Sequence, residues 1–128
     1  MRRLIRPLVL GLGVAVATPA LADELDDLAK AIEQNPDDGK LYDAYAQAAF
    51  KQKKWDEAIR KLKNGVARVA DYKEGYYKLA YAYRQKKEWA DAADYYRRVL
   101  AIDGSRLDCY YGLGASLQGL GDTKGAIA

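Results

Sequence analysis

From Tyr42 onward, small and apolar residues recur at helical spacing. Tyr42, Tyr45, Ala46 and Ala49 follow i, i+3, i+4, i+7, and so do Tyr76, Leu79, Ala80 and Tyr83, then Tyr110, Leu113, Gly114 and Leu117. That spacing puts each set on one face of a helix. A second series of helices shows the same periodicity in Trp55, Ala58, Ile59 and Leu62, and in Trp89, Ala92, Ala93 and Tyr96. Short polar stretches separate the members of each pair: Gln52-Lys53-Lys54, Gln85-Lys86-Lys87-Glu88 and Gly121-Asp122. No segment alternates apolar and polar residues between Gly/Pro boundaries, so no sheet is expected.

The two helix types repeat together. Tyr42, Tyr76 and Tyr110 are evenly spaced, and the same interval separates Ala46, Ala80 and Gly114, then Ala58, Ala92 and Ala126, then Tyr45, Leu79 and Leu113. Trp55, Trp89 and Thr123 keep it as well. Five parallel series without an insertion mark an internal repeat. The small residues Ala46, Ala58, Ala80, Ala92, Gly114 and Ala126 fall where two helices should approach closely.

A helix–turn–helix unit of about 34 residues with these aromatic, Leu-Gly and Ala positions resembles the tetratricopeptide repeat. Tyr110-x-x-Leu113-Gly114-x-x-Leu117, then Gly121-Asp122 and Ala126-Ile127, is similar to that family's pattern. Trp55-Asp56-Glu57-Ala58-Ile59 matches the start of its second helix. Pro36 suits the close of a half-repeat, whereas Ala70 and Gly104 stand where further closing prolines would be. The resemblance implies an all-α, right-handed superhelical solenoid of antiparallel helix pairs. The expected organisation is a leading half-repeat or capping helix over 23–38, full repeats over 39–72 and 73–106, and an incomplete third over 107–128. The sequence reaches only six residues into the last second helix, which suggests a fragment of a longer repeat protein, or a partner or second copy that supplies the missing helix.

The amino-terminal segment, up to Ala22, is of another kind. Met1 to Arg6 is basic, Leu8 to Ala17 is apolar, and Thr18-Pro19-Ala20-Leu21-Ala22 ends in an Ala-x-Ala pattern. This reads as a signal peptide cleaved after Ala22, which places the mature chain in the periplasm or outside the cell and limits membrane contact to export. The apolar run is about 15 Å long as a helix, half of a hydrocarbon core of roughly 30 Å. Arg2-Arg3 lacks the rest of a twin-arginine signal, and Asp23 stands where a lipoprotein would carry cysteine.

Removing that segment changes the charge. The whole chain carries 21 basic and 18 acidic residues, but from Asp23 onward there are 18 of each. A neutral mature chain gives no support for nucleic-acid binding. Residues 23–43 carry a net of −6 and residues 44–106 a net of +7. Solvated outer faces account for such charges ordinarily, and self-association along that polarity is an alternative. The chain has no histidine and one cysteine, Cys109, so neither a Cys–His pair nor a Cys-based zinc site can be built from it. Cys109 is expected as a small, partly buried helix residue, with an interchain disulfide as the alternative. Gly112-Leu113-Gly114 falls inside a predicted helix, out of the context of a dinucleotide-binding loop. No catalytic residue, metal site or cofactor is expected.

In tetratricopeptide arrays the first helices line a concave groove, and the resemblance implies one here. The helix faces beside the packing stripe supply Lys40, Asp43, Gln47, Phe50 and Lys51, then Glu74, Tyr77, Lys78, Tyr81, Arg84 and Gln85, then Asp108, Tyr111 and Gln118. Phe50, Tyr77, Tyr81 and Tyr111 lie off the stripe, and aromatics among polar groups suit an extended peptide or a helix. The family's two-carboxylate clamp would fall on Asp43, Gln47, Lys78, Asp108 and Gly112, which cannot form it. The sequence thus points to an exported, non-enzymatic scaffold for a protein partner, concerned with cell-envelope assembly. Its rivals are a docking segment of a larger enzyme and a self-assembling structural module.

Overall fold

The computed structural model describes the backbone of residues 19–127 and the side chains of residues 23–122. Among them are six helices and no strand: α1 (Pro19–Gln34), α2 (Gly39–Lys51), α3 (Trp55–Arg68), α4 (Lys73–Gln85), α5 (Trp89–Ile102) and α6 (Leu107–Ile127). The period of the sequence carries into the backbone. Both ends of α4 fall one full period after those of α2, both ends of α5 one period after those of α3, and α6 begins one period after α4. The end of α1 falls one period before that of α3, so α1 takes the place of a second helix, packing on α2 and not on α3. The architecture is an all-α solenoid of helix pairs.

Both complete turns use the same device. Lys53 and Lys87 adopt left-handed backbone, φ 56° and 61°. In the first turn Lys54 N–H bonds Ala49 O at 2.8 Å and Lys53 N–H bonds Phe50 O at 2.9 Å. In the second, Glu88 N–H bonds Tyr83 O and Lys87 N–H bonds Arg84 O, both at 2.9 Å. These are Schellman closures, which satisfy the last carbonyls of the helix before the chain reverses.

The expected stripes form the core of the first two units. Tyr42, Tyr45, Ala46, Ala49, Leu79, Ala80 and Tyr83 are buried, and Ala58, Ile59, Leu62, Ala92, Ala93 and Tyr96 meet them from the second helices. Rings rest on glycines where helices approach most closely: Tyr42 on Gly65, Tyr96 on Gly112 and Trp89 on Gly119. First-helix tyrosines also fix the chain between repeats, the Tyr42 hydroxyl donating to Pro36 O at 2.6 Å and that of Tyr110 to Gly104 O at 3.0 Å. Ion pairs tie the acidic start to the basic middle, Asp37 with Arg68 at 3.1 Å and Asp43 with Lys78 at 3.8 Å.

The third unit departs from expectation. α6 continues through Gly121-Asp122, where the register calls for a turn. An unbroken α6 keeps the backbone hydrogen bonds that a turn would sacrifice. Gly114, expected at a close approach, is exposed with nothing within 4 Å of the place of its Cβ; Gly112 and Gly119 hold that role instead. Cys109, expected as partly buried, is wholly buried against the α4–α5 pair, which removes it from interchain pairing in this packing. Burial pushes its thiol up to about 11.

Residues 1–18 of the expected signal segment lie outside the described residues, and α1 already begins at Pro19, ahead of the expected cleavage point. The α1 side chains that pack on the core, Leu25, Leu28, Ala29 and Ile32, all follow Asp23. No described helix is long and apolar enough to cross a membrane.

Candidate partner-binding groove

The curvature of the solenoid follows from which helices touch. α2 contacts α4 and α4 contacts α6, whereas α3 and α5 do not meet. The first helices are therefore drawn together on the inner side and the second helices splay on the outer. Residues on the free faces of α2, α4 and α6 look into the concave side.

On that side Gln47, Phe50, Tyr77, Lys78 and Tyr81 line one open cavity of about 240 Å³. All five are among the residues assigned to the groove from sequence. Phe50 and Tyr81 meet at a tilt, 5.2 Å between ring centroids, and Trp55 closes the cluster at 5.3 Å from Phe50 and 6.1 Å from Tyr81. Tyr77 packs edge-on to the buried Tyr96 at 6.1 Å. Phe50 and Tyr81 join neighbouring repeats and Tyr77 packs within its own, so each leaves only part of its ring to the groove. Tyr111 is 74% exposed.

The charged groove residues are mostly committed. Asp43 faces Lys78 at 3.8 Å and accepts a hydrogen bond from the Tyr72 hydroxyl, and burial together with that carboxylate pushes the Tyr72 phenol far up. Glu74 meets Arg106 at 2.7 Å. Arg106 grips Asp108 through two bonds of 2.8 and 2.9 Å, which hold the Asp108 carboxyl below its usual range. The same guanidinium lies 5.0 Å from the Tyr77 ring centroid. Arg84 stands over Tyr111 at 5.9 Å, with no carboxylate among the described residues paired to it. Lys40, Lys51, Gln85 and Gln118 are exposed and stand outside the cavity.

Tyr72, Arg106 and Trp55 were not assigned to the groove from sequence. The signal for the first two is the register: they are one period apart, each just before a first helix, and each reaches back to the preceding first helix. The clamp positions are filled in a way that forbids the clamp, since Asp43 and Lys78 pair with each other and the Tyr96 ring covers Gly112.

This geometry is one repeat's first helix set beside the next. Residues 73–105 match a tetratricopeptide-repeat family model. Two solved structures share the fold, with the titles "Crystal structure of MamA" and "Crystal structure of MamA protein". Each is 23% identical over 80% and 84% of this chain respectively, with a TM-score of 0.72. The chain spans 60% and 58% of the length of those structures. No curated protein matches. The tetratricopeptide pattern is thus carried by residues 73–105, and the chain as described shares the all-α fold of helix pairs with those two structures.

Proposed function

We propose that the chain is an exported, non-enzymatic scaffold that holds an extended peptide or a helix of a protein partner in the concave groove over α2, α4 and α6. The observation that carries this reading is the cavity between Gln47, Phe50, Tyr77, Lys78 and Tyr81, large enough for one bulky apolar side chain and rimmed by polar groups. Arg84 and Tyr111 continue the surface one repeat further, where a cation without a carboxylate partner suits an acidic residue of the bound segment. The absence of histidine supports the non-enzymatic part, and the Ala-x-Ala pattern before Asp23 supports export and a place in the cell envelope.

The test needs variants that alter the groove without disturbing the core. Gln47 is exposed, so Gln47→Trp fills the cavity from its rim. Tyr111→Ala strips the most exposed groove ring. Displayed random peptides selected on the wild-type chain should be enriched in a bulky apolar residue and should bind Gln47→Trp at least about tenfold more weakly, the loss expected of one apolar anchor. Selected peptides that bind both variants as tightly as wild type would place the binding surface elsewhere. Amino-terminal sequencing of the exported product checks the address; a mature chain that still begins at Met1 would overturn it.

A further inference from the structure

The period of the repeat sets a second place beside the cavity. Shifting the cavity residues by one period carries Gln47 to Tyr81, Phe50 to Arg84, Tyr77 to Tyr111, Lys78 to Gly112 and Tyr81 to Ala115. The backbone keeps that period, and α4 contacts α6 as α2 contacts α4. Tyr81 therefore belongs to both places: it lines the first and stands at the rim of the second.

The chemistry changes across that step. In the first place Phe50 lies against Tyr81 and Trp55, so the lining is aromatic. In the second, Arg84 takes the position of Phe50, and Trp89, the equivalent of Trp55, rests on Gly119. Gly112 and Ala115 bring no long side chain to it. Arg84 is half-buried and lies 5.9 Å from the ring centroid of Tyr111. Contact with a ring engages the charge of a guanidinium and leaves its N–H donors for a carboxylate. The carboxylates of the concave side are taken elsewhere, Asp43 by Lys78 and Tyr72, Glu74 and Asp108 by Arg106. Of the two cations nearest the cavity, Lys78 is thus paired, whereas Arg84 meets no carboxylate among the described residues.

We propose that the segment held in the groove carries an acidic residue on the same face as its bulky apolar anchor, with the anchor in the cavity and the carboxylate on Arg84 beside Tyr111. This rests on the groove being the binding surface and adds which partners it selects. The two places lie on neighbouring packed helices, roughly 8–10 Å apart. A segment in the polyproline conformation covers that distance along one face in about three residues, at about 3.1 Å each. A helix covers it in about seven, at about 1.5 Å each. An acidic residue at one of those spacings from the anchor is the expected motif.

Displayed random peptides selected in parallel on the wild-type chain and on Arg84→Glu test this. The Arg84 side chain makes no hydrogen bond among the described residues, so the reversal should leave the circular dichroism spectrum unchanged; Arg84→Gln replaces it if it does not. Both pools should share the apolar anchor. The wild-type pool should carry Asp or Glu at one fixed spacing from it, and the Arg84→Glu pool Lys or Arg at that spacing. A wild-type peptide whose acidic residue is changed to its amide should bind the wild-type chain about tenfold more weakly and Arg84→Gln no differently, the loss of one charge-assisted hydrogen bond. Pools that share the anchor without an acidic preference, or an acidic preference that survives Arg84→Glu, would overturn the proposal and leave the groove standing. Peptides as tight on Gln47→Trp as on wild type would instead remove the groove, and the motif with it.

Discussion

Gly112→Ala and Gly114→Ala make one chemical change at two points of the same helix, and the structure gives them opposite signs. Within a helix Ala is favoured over Gly by roughly 0.8–1.0 kcal/mol, and both sites receive that gain. At Gly114 the added methyl group meets nothing within 4 Å, so the gain stands alone. At Gly112 it would lie 2.3 Å from Cζ of Tyr96, 2.5 Å from Cε1 and 2.7 Å from Cε2. Carbon atoms sit comfortably at about 3.5 Å or more, so the ring or the helix has to retreat by about an ångström. Tyr96 is 1% exposed and backed by Tyr77, which leaves the ring little room. Overpacking of this kind costs about 1–3 kcal/mol. Taking the middle of that range and subtracting the helix gain, Gly112→Ala destabilises by about 1 kcal/mol while Gly114→Ala stabilises by about 1 kcal/mol.

The gap of about 2 kcal/mol between the two variants is the quantity to measure, since propensity cancels from it and only the contact with Tyr96 remains. Urea unfolding followed by far-UV circular dichroism and by tryptophan fluorescence supplies it. Trp89 sits on Gly119 two turns further along the same helix and reports on the same junction. Equal stabilisation by both substitutions would refute the reasoning, because α6 could not then be resting on the Tyr96 ring.

Lys53→Gly and Lys87→Gly should each stabilise by about 0.5–1 kcal/mol, the left-handed backbone cost of a side chain less the extra freedom of glycine in the unfolded chain; a lowered melting temperature would contradict the turn geometry. Asp103 accepts hydrogen bonds from Ser105 Oγ at 2.6 Å, Lys73 Nζ at 2.9 Å and Ser105 N at 3.1 Å, which hold its carboxyl far below the ordinary value of 3.8. A lowered native pKa stabilises above the unfolded value and is lost as pH falls below it, so wild type should lose stability more steeply below about pH 4 than Asp103→Asn. Cys109, buried and with its thiol raised to about 11, should react with an aromatic disulfide reagent at pH 8 only as fast as the chain opens, and a burst of labelling in the native chain would contradict its burial.

What the sequence made legible is what repeats locally. The stripes of α2 to α5 were readable because the period of the repeat and the period of the helix coincide in Tyr42, Tyr76, Trp55 and Trp89. The groove was readable in part for the same reason: Gln47, Phe50, Tyr77, Lys78 and Tyr81 occupy one helix face in successive units, and that face turns inward where first helices touch. Periodicity contains no rotation of one helix against the next, so it could not pair Trp55 with Phe50 and Tyr81, or set Arg106 between Tyr77 and Glu74. Nor could it tell that Tyr96 would claim the space over Gly112.

The third unit shows the limit most plainly. Tyr110, Leu113, Gly114 and Leu117 carry the same spacing as the stripes that became core, yet Tyr110 and Leu117 face solvent. An apolar stripe specifies that something must cover it, and burial is then decided by whether a covering helix is present. In α2 and α4 the next helix of the chain provides the cover, at a cost of one left-handed residue per turn. In α6 the residue at that turn position is Gly121, the type best suited to a left-handed turn, and the helix still runs straight through it. Turn chemistry therefore permits the reversal without compelling it.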